Sequence, residues 1–400
     1  MISLGEAQPL LLSDLVGLEF ERVPLDDALG RTLAQPLIAS HTQPAEPRAT
    51  MDGLAVPDCK PTIGTEWIII GQAPAGSDKG MPLHPGQAVR IATGAVVPSG
   101  ATRVIPQEIV DFSEDRALLK SSPGVQQFIR ESGADFAAGD RLLEPGTRLT
   151  PGAVGLLAAA NCASVEVVRE PRVAICTSGD ELIAPGSELR EGQSVDSASH
   201  ALAALVHRWG GKPQLQAILP DDLDAITPAL SSLMSHCDVL VCVGGASVGK
   251  RDLMRPAASA IGAQFLFERI AVQPGKPCWH ARAGPSGLIL GLPGNPSSAF
   301  VCAHLLLLPL IDRLMRRVPS LEWRKARLGG PLPANGDREQ YLRASAAYDE
   351  EGRVLVTSLA DQDSGLQAAL ARARFLIRRP PMASPLESGQ PVPVLELQSI

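Results

Sequence analysis

Val239-Leu240-Val241-Cys242-Val243 runs directly into Gly244-Gly245-Ala246-Ser247-Val248-Gly249. An unbroken apolar run of this length suits a strand buried on both faces, and the glycines mark a loop at its carboxyl end. The pattern recurs on either side. Val173–Cys176 leads into Thr177-Ser178-Gly179-Asp180-Glu181, and Leu288–Leu290 leads into Gly291-Leu292-Pro293-Gly294-Asn295-Pro296. Helical segments alternate with these strands: Ser197–Trp209, stopped by Gly210-Gly211, then Asp222–Ser235, Leu253–Ile261 and Ser297–Arg316. Further strands are expected at Leu215–Leu219 and Phe265–Val272. The alternation predicts a parallel, doubly wound α/β sheet covered on both faces over residues 172–318.

Ligands of such sheets bind beyond the carboxyl ends of the strands. Loops 177–181, 244–249 and 291–296 all belong there. Their glycines let backbone N–H groups approach an anion, and helices starting near Asp252 and Ser297 aim positive ends at the same crevice. A phosphorylated small molecule is the expected ligand. Asp180, Glu181, Asp221, Asp222 and Asp252 accompany the loops. Carboxylates repel phosphate unless a cation lies between, so this pattern implies Mg²⁺, which prefers oxygen ligands. Asp221, Asp222 and Asp252 suit helix N-caps equally well.

Outside this domain the rhythm changes. Residues 7–35 read as a helix, then a short second helix that starts at Pro24-Leu25-Asp26-Asp27 and stops before Gly30. From 36 to 150, Pro and Gly recur between short apolar runs, which suits β-rich modules. Leu149–Ala160 reads as a helix, Val165–Val168 as a strand, and 322–400 as short strands around a small helix, Gly365–Ala373. The expected organisation is multi-domain. An N-terminal region spans 1–171, with a helical/β part (1–40 and 140–171) and an inserted β-rich module (about 41–139). The α/β domain (172–318) and a β-rich C-terminal domain (322–400) follow.

With 45% apolar and 20% charged residues the chain is globular, and at net charge −7 without a long basic run it is not built for nucleic acid. Seven cysteines (59, 162, 176, 237, 242, 278, 302) show no CxxC spacing and no clustering with His, which reads as buried reduced thiols rather than disulfides or zinc. Met1–Leu12 lacks the basic start and cleavage site of a signal peptide, and the apolar stretch Ala299–Ile311 is too short to span a bilayer. A cytoplasmic protein without membrane contact is expected.

Several ordered segments resemble one family. They are Met51-Asp52-Gly53; Ile91-Ala92-Thr93-Gly94-Ala95 with Pro98, Gly100-Ala101 and Gln107-Glu108; and Arg130 with Gly133-Ala134-Asp135-Phe136 and Gly139. The 177–182 and 244–249 loops, Pro274-Gly275-Lys276-Pro277, Leu292-Pro293-Gly294-Asn295-Pro296, Arg343 and Gln362-Asp363-Ser364-Gly365 follow. Together they look like the MoeA family of molybdopterin molybdenumtransferases, which includes the gephyrin E domain. The resemblance covers residues 44–365. It implies a central domain of MogA/MoaB type, an elongated homodimer, and Mg²⁺-dependent insertion of molybdate into adenylylated molybdopterin with release of AMP. Other molybdenum cofactor biosynthesis proteins or molybdoenzymes would be further partners.

Carried over by position, the resemblance implies Asp52, Asp135, Glu181 and Asp252 as catalytic residues. Thr93, Arg130, Gly179, Asp180, Asp221, Gly244, Gly245, Ser247, Gly249, Pro293, Gly294, Asn295 and Pro296 would bind substrate. Lys276, Ser298, Arg343 and Ser364 would bind molybdate, and Glu181, Asp221 and Asp252 would bind Mg²⁺. The chain departs from the family pattern at Ala45–Thr50, at Leu54, at Ala198, and at Gln273, where a second cation is usual. Either Arg48 or Arg269 supplies that charge, or the chain is a catalytically impaired binding or carrier protein of the same fold. An adenylyltransferase of the shared domain type would need ATP, and the additional domains argue against it.

Overall fold

The computed structural model describes residues 1–58, 60–76, 82–244, 253–284, 287–318 and 321–397. At its centre is a six-stranded sheet in the order Lys212–Leu215, Arg172–Thr177, Val239–Val243, Gly287–Leu292, Trp279–Ala283, Gln264–Phe267. The first four strands are parallel and Trp279–Ala283 runs antiparallel to both of its neighbours, so the sheet is mixed rather than wholly parallel. Side chains alternate across it. Val173, Ile175, Val239, Val241, Leu288 and Leu290 enter one core with Leu202, Val206 and Leu310. Ala174, Cys176, Leu240, Cys242 and Ile289 enter the other with Ile226, Leu230 and Met254. This period-2 burial on both faces is what the continuous apolar runs encode.

Two expected strands are corrected and a third strand is added. Phe265–Val272 is not continuous: Gln264–Phe267 is the sheet edge, while Val272–Gln273 leaves to pair with Glu339 and Gln340 of the C-terminal sheet. The strand at Leu215–Leu219 lies instead at Lys212–Leu215, an edge position where Pro213 is tolerated. Trp279–Ala283 is an additional strand, its polar His280 fully buried beside the Ile289 carbonyl. The long helix breaks into a π-turn at Ala303–Leu307 ahead of Pro309, which lacks the N–H a regular helix needs. Its apolar window is 94% buried inside the molecule, as befits a core helix.

Residues 7–35 are mostly not helical. The first helix is Leu4–Leu12, closed by a Ser3/Glu6 capping box, and it buries Leu4, Ala7 and Leu11 in the central core. Phe20–Pro24 is a strand on Ser164–Val168, and the proposed second helix shrinks to a 3₁₀ turn at Leu25–Asp27. With only Val23 buried in that strand, there was no periodic signal to read.

Residues 53–119 build a six-stranded sheet with a separate core on each face, one around Ala55, Val89 and Val104 and the other around Leu54, Ala88 and Ile105. At the C-terminus, Glu339–Tyr348, Val354–Ser358, Arg324–Leu328, Pro391–Glu396 and Phe375–Arg379 close on themselves through the pairing of the first and last strands. Closure removes the exposed edges. The architecture is α/β and multi-domain, with β-rich parts on either side of the central sheet.

A charge network fastens the N-terminal region to the central sheet. Arg169 donates bidentately to Asp238 at 2.7 and 2.8 Å and to Glu19 at 2.6 Å, while the Arg172 N–H donates to Asp238 at 2.7 Å. Burial pushes the Asp238 carboxyl up, but the bonds from Arg169 and Arg172 outweigh it and leave its pKa below the usual value. A depressed carboxylate adds stability above its unfolded pKa, and that stability is lost as pH falls through the folded value. Asp238→Asn should therefore lower stability by about 2 kcal/mol at pH 7. In denaturant titrations the gap from wild type should close below about pH 4. A gap that stays constant with pH would contradict this role.

Candidate functional site

Arg172–Thr177, Val239–Val243 and Gly287–Leu292 are sheet neighbours, so the loops that leave them stand side by side. Gly244 adopts φ 97°, and a Cβ there would lie 2.9 Å from the Ser178 carbonyl oxygen. A Cβ on Gly294 would lie 3.3 Å from Gly244 Cα. Bare backbone is thus what allows the three loops to touch.

The acidic residues gather on this rim. A Cβ on Gly179 would meet the Glu181 carboxylate at 2.9 Å, so that carboxylate folds back over the glycine loop. The Asp221 N–H donates to Asp180 Oδ1 at 3.0 Å. The Asp221 carboxyl is pushed up, first by burial and then by the charges of Asp180 and Glu181. Asp222 is the N-cap of Leu223–Met234, accepting from Asp224 N–H, so the neighbouring Asp221 is free of that duty. Among the described residues no three His, Cys, Asp or Glu side chains form a complete metal cage. A cation here would take part of its shell from water or substrate. The residues Gly245, Ser247, Gly249 and Asp252 lie outside the described part of the chain.

The third loop is bonded to the C-terminal barrel. Asn295 Nδ2 donates to Ser364 Oγ at 2.7 Å, Ser297 N–H to the Ser364 carbonyl at 3.0 Å, and Ser297 Oγ to the Leu366 carbonyl at 3.1 Å. Arg343, only 2% exposed, donates to Ser297 Oγ at 2.8 Å and to the Asp363 carbonyl at 2.9 Å. Burial lowers the pKa of its guanidinium. Arg343 therefore stands behind the junction and holds both loops, while Asn295 and Ser364 stand at its surface. Ser298 is buried, on the helix that begins with Pro293-Gly294-Asn295-Pro296 at its N-terminal side.

The Lys276 turn rests on the same helix. A Cβ on Gly275 would come within 2.2 Å of Cys302 Sγ, and Cys302 is one helical turn beyond Ser298. Lys276 itself is exposed. A further cation stands beside Gln273: Arg338 Nη2 donates to Gln273 Oε1 at 3.5 Å. Sequence reasoning missed Ser297 and Arg338, whose partners are distant along the chain. It also missed Asp196, a buried carboxylate that accepts from Ser199 Oγ at 2.6 Å and Thr177 Oγ1 at 3.2 Å and so braces the first strand tip.

The remaining candidates form a second cluster in the N-terminal module. A 470 Å³ cleft is lined by residues of that module alone, including Arg48, Thr93, Gly94, Arg130 and Asp135. On its rim, Asp52 accepts from Thr93 N–H at 2.6 Å and Thr93 Oγ1 at 2.8 Å, and these bonds hold its pKa below the usual value.

Three family models match in order. They are the MoeA N-terminal region (domain I and II) over residues 2–161, a probable molybdopterin binding domain over 174–313, and the MoeA C-terminal region (domain IV) over 325–397. Fold and site together define a MoeA-type protein with a molybdopterin-binding type of central domain. The molybdopterin molybdenumtransferase of Nostoc sp. is 33% identical over 388 residues, 94% of this chain and 88% of that protein. That of Bacillus subtilis is 33% identical over 94% of this chain and 90% of its own length. A solved molybdopterin biosynthesis MoeA protein from Pyrococcus horikoshii superposes with TM-score 0.83 at 28% identity, covering 99% of this chain and 100% of that one. The chain belongs to the molybdopterin molybdenumtransferase (MoeA) family.

Ser297→Ala removes one acceptor from the buried Arg343 and one donor to the Leu366 carbonyl. A cost of about 1.5–3 kcal/mol is expected, read as a lower denaturant midpoint together with faster proteolytic release of the C-terminal barrel. An unchanged midpoint would show that the junction does not depend on this hydroxyl.

Proposed function

We propose that this chain inserts molybdenum from molybdate into molybdopterin, which arrives as its adenylylate, and releases AMP. The observation that carries the reading is the contact of three glycine loops at neighbouring strand tips, edged by Asp180, Glu181 and Asp221 and bonded through Asn295 to Ser364. Backbone N–H groups of Asp180, Glu181, Gly294 and Asn295 would orient the phosphates. Asn295, Ser364 and the exposed Lys276 would present donors to the incoming oxyanion, with Ser298 beneath them. Arg343 would act by holding Ser297 and the 363–366 turn in place.

The donor set on the rim consists of carboxylate oxygens, which fits a hard divalent cation. Glu181 and Asp221, with Asp252 from the sequence pattern, would hold Mg²⁺. When bound, that ion supplies neutralisation of pyrophosphate charge and polarisation of the phosphorus–oxygen bond. Asp52, Thr93, Arg130 and Asp135 would engage substrate from the module cleft, in a cytoplasmic homodimer. The domains would be 1–171, 172–318 and 322–400. Relatives named molybdopterin molybdenumtransferase favour the enzyme over the carrier alternative.

The test is AMP release by purified protein given adenylylated molybdopterin and Mg²⁺, with and without molybdate. Release should require both ions, and Glu181→Gln should slow it on the order of 100-fold or more. Asp221 begins to protonate at higher pH than an ordinary Asp, so Mg²⁺-dependent turnover should fall earlier on acidification than in Asp221→Asn. Turnover indifferent to chelation would sink the reading.

A further inference from the structure

Arg48 and Arg130 face each other directly. The two-stranded antiparallel ribbon of Arg48–Ala49 and Ile129–Arg130 pairs Ile129 with Ala49 and Arg130 with Arg48. Residues directly opposite share one face, with Cβ atoms on the order of 5 Å apart, and like charges in that position destabilise a ribbon. Both arginines line the 470 Å³ cleft. Among the described residues neither forms an ion pair, and Asp135 in the same lining is not within ion-pair distance of either. Arg48 is half-buried and tethered by Nη1 to the Gly94 carbonyl at 2.8 Å, which orients its guanidinium and leaves its other N–H groups available. Two arginines on one face of the ribbon, both lining the cavity and neither engaged by its Asp135, offer paired N–H donors to an anion that both forks can grip.

We propose that Arg48 and Arg130 form a cross-strand clamp for a tetrahedral dianionic oxygen group, with Arg48 a specificity residue additional to those the family resemblance implies. The clamp rests on the proposed function for its ligand, which is either a phosphate of the nucleotide-bearing substrate or the oxometallate. Two facing guanidinium forks match such a group with paired N–H···O bonds, where a lone arginine would offer one pair.

The experiment uses the full chain with 5′-AMP, molybdate and, as an uncharged control, adenosine. In Arg48→Gln and Arg130→Gln the dissociation constant of one anion should rise about tenfold, with partial rescue in Arg48→Lys and no change for adenosine. A loss confined to AMP identifies the substrate phosphate, and a loss confined to molybdate identifies the oxometallate. In Arg48→Gln the rise in melting temperature on adding the anion should shrink. Unchanged affinity for both anions, or an undiminished rise, would overturn the clamp. If wild type releases no AMP yet the variants lose anion binding, the proposed activity falls and the clamp stands.

Discussion

The arrangement depends on backbone touching backbone at Gly244. Its left-handed φ of 97° and the 2.9 Å that a Cβ would leave to the Ser178 carbonyl mean that only glycine lets the first and second loops meet. Gly294 then closes on Gly244 from the third strand. The sheet beneath determines which loops are neighbours, because parallel strands in this order deliver their carboxyl ends together. Without the glycines the same sheet would present separated turns, and the carboxylates would have no common rim.

The second constraint is the buried arginine at the edge of that rim. A guanidinium removed from water is tolerated only when its N–H groups are satisfied. Arg343 satisfies its own with Ser297 Oγ and the Asp363 carbonyl, so one residue of the barrel fixes the start of a central-domain helix and a barrel turn at once. The short strand Val272–Gln273 reinforces the connection by joining the barrel sheet directly before the Lys276 turn. The site's parts therefore come from two units that cannot shift independently without exposing or stranding polar groups.

Legibility followed the range of the interactions. Val239–Val243 could be read as a doubly buried strand because every residue in it is apolar, and the loops could be read because glycine after a strand has a local meaning. Trp279–Ala283 escaped because His280 and Arg282 break the apolar run, although His280 is buried against a carbonyl. Phe20–Pro24 escaped because its pairing partner is more than a hundred residues away and only one of its side chains is buried. Ser297 could not be singled out from Ser298 by sequence, since what distinguishes it is contact with Arg343 and with the 364–366 turn. The same holds for Arg338, which reaches Gln273 only because two sheets join there.

The most direct measurement is a crystal structure of the chain with AMP and Mg²⁺. The account predicts a phosphate within hydrogen-bond distance of backbone N–H groups in the 178–181 or 293–296 loops, with the metal on Glu181 or Asp221. A well-ordered nucleotide bound elsewhere, with those loops and carboxylates uninvolved, would contradict it.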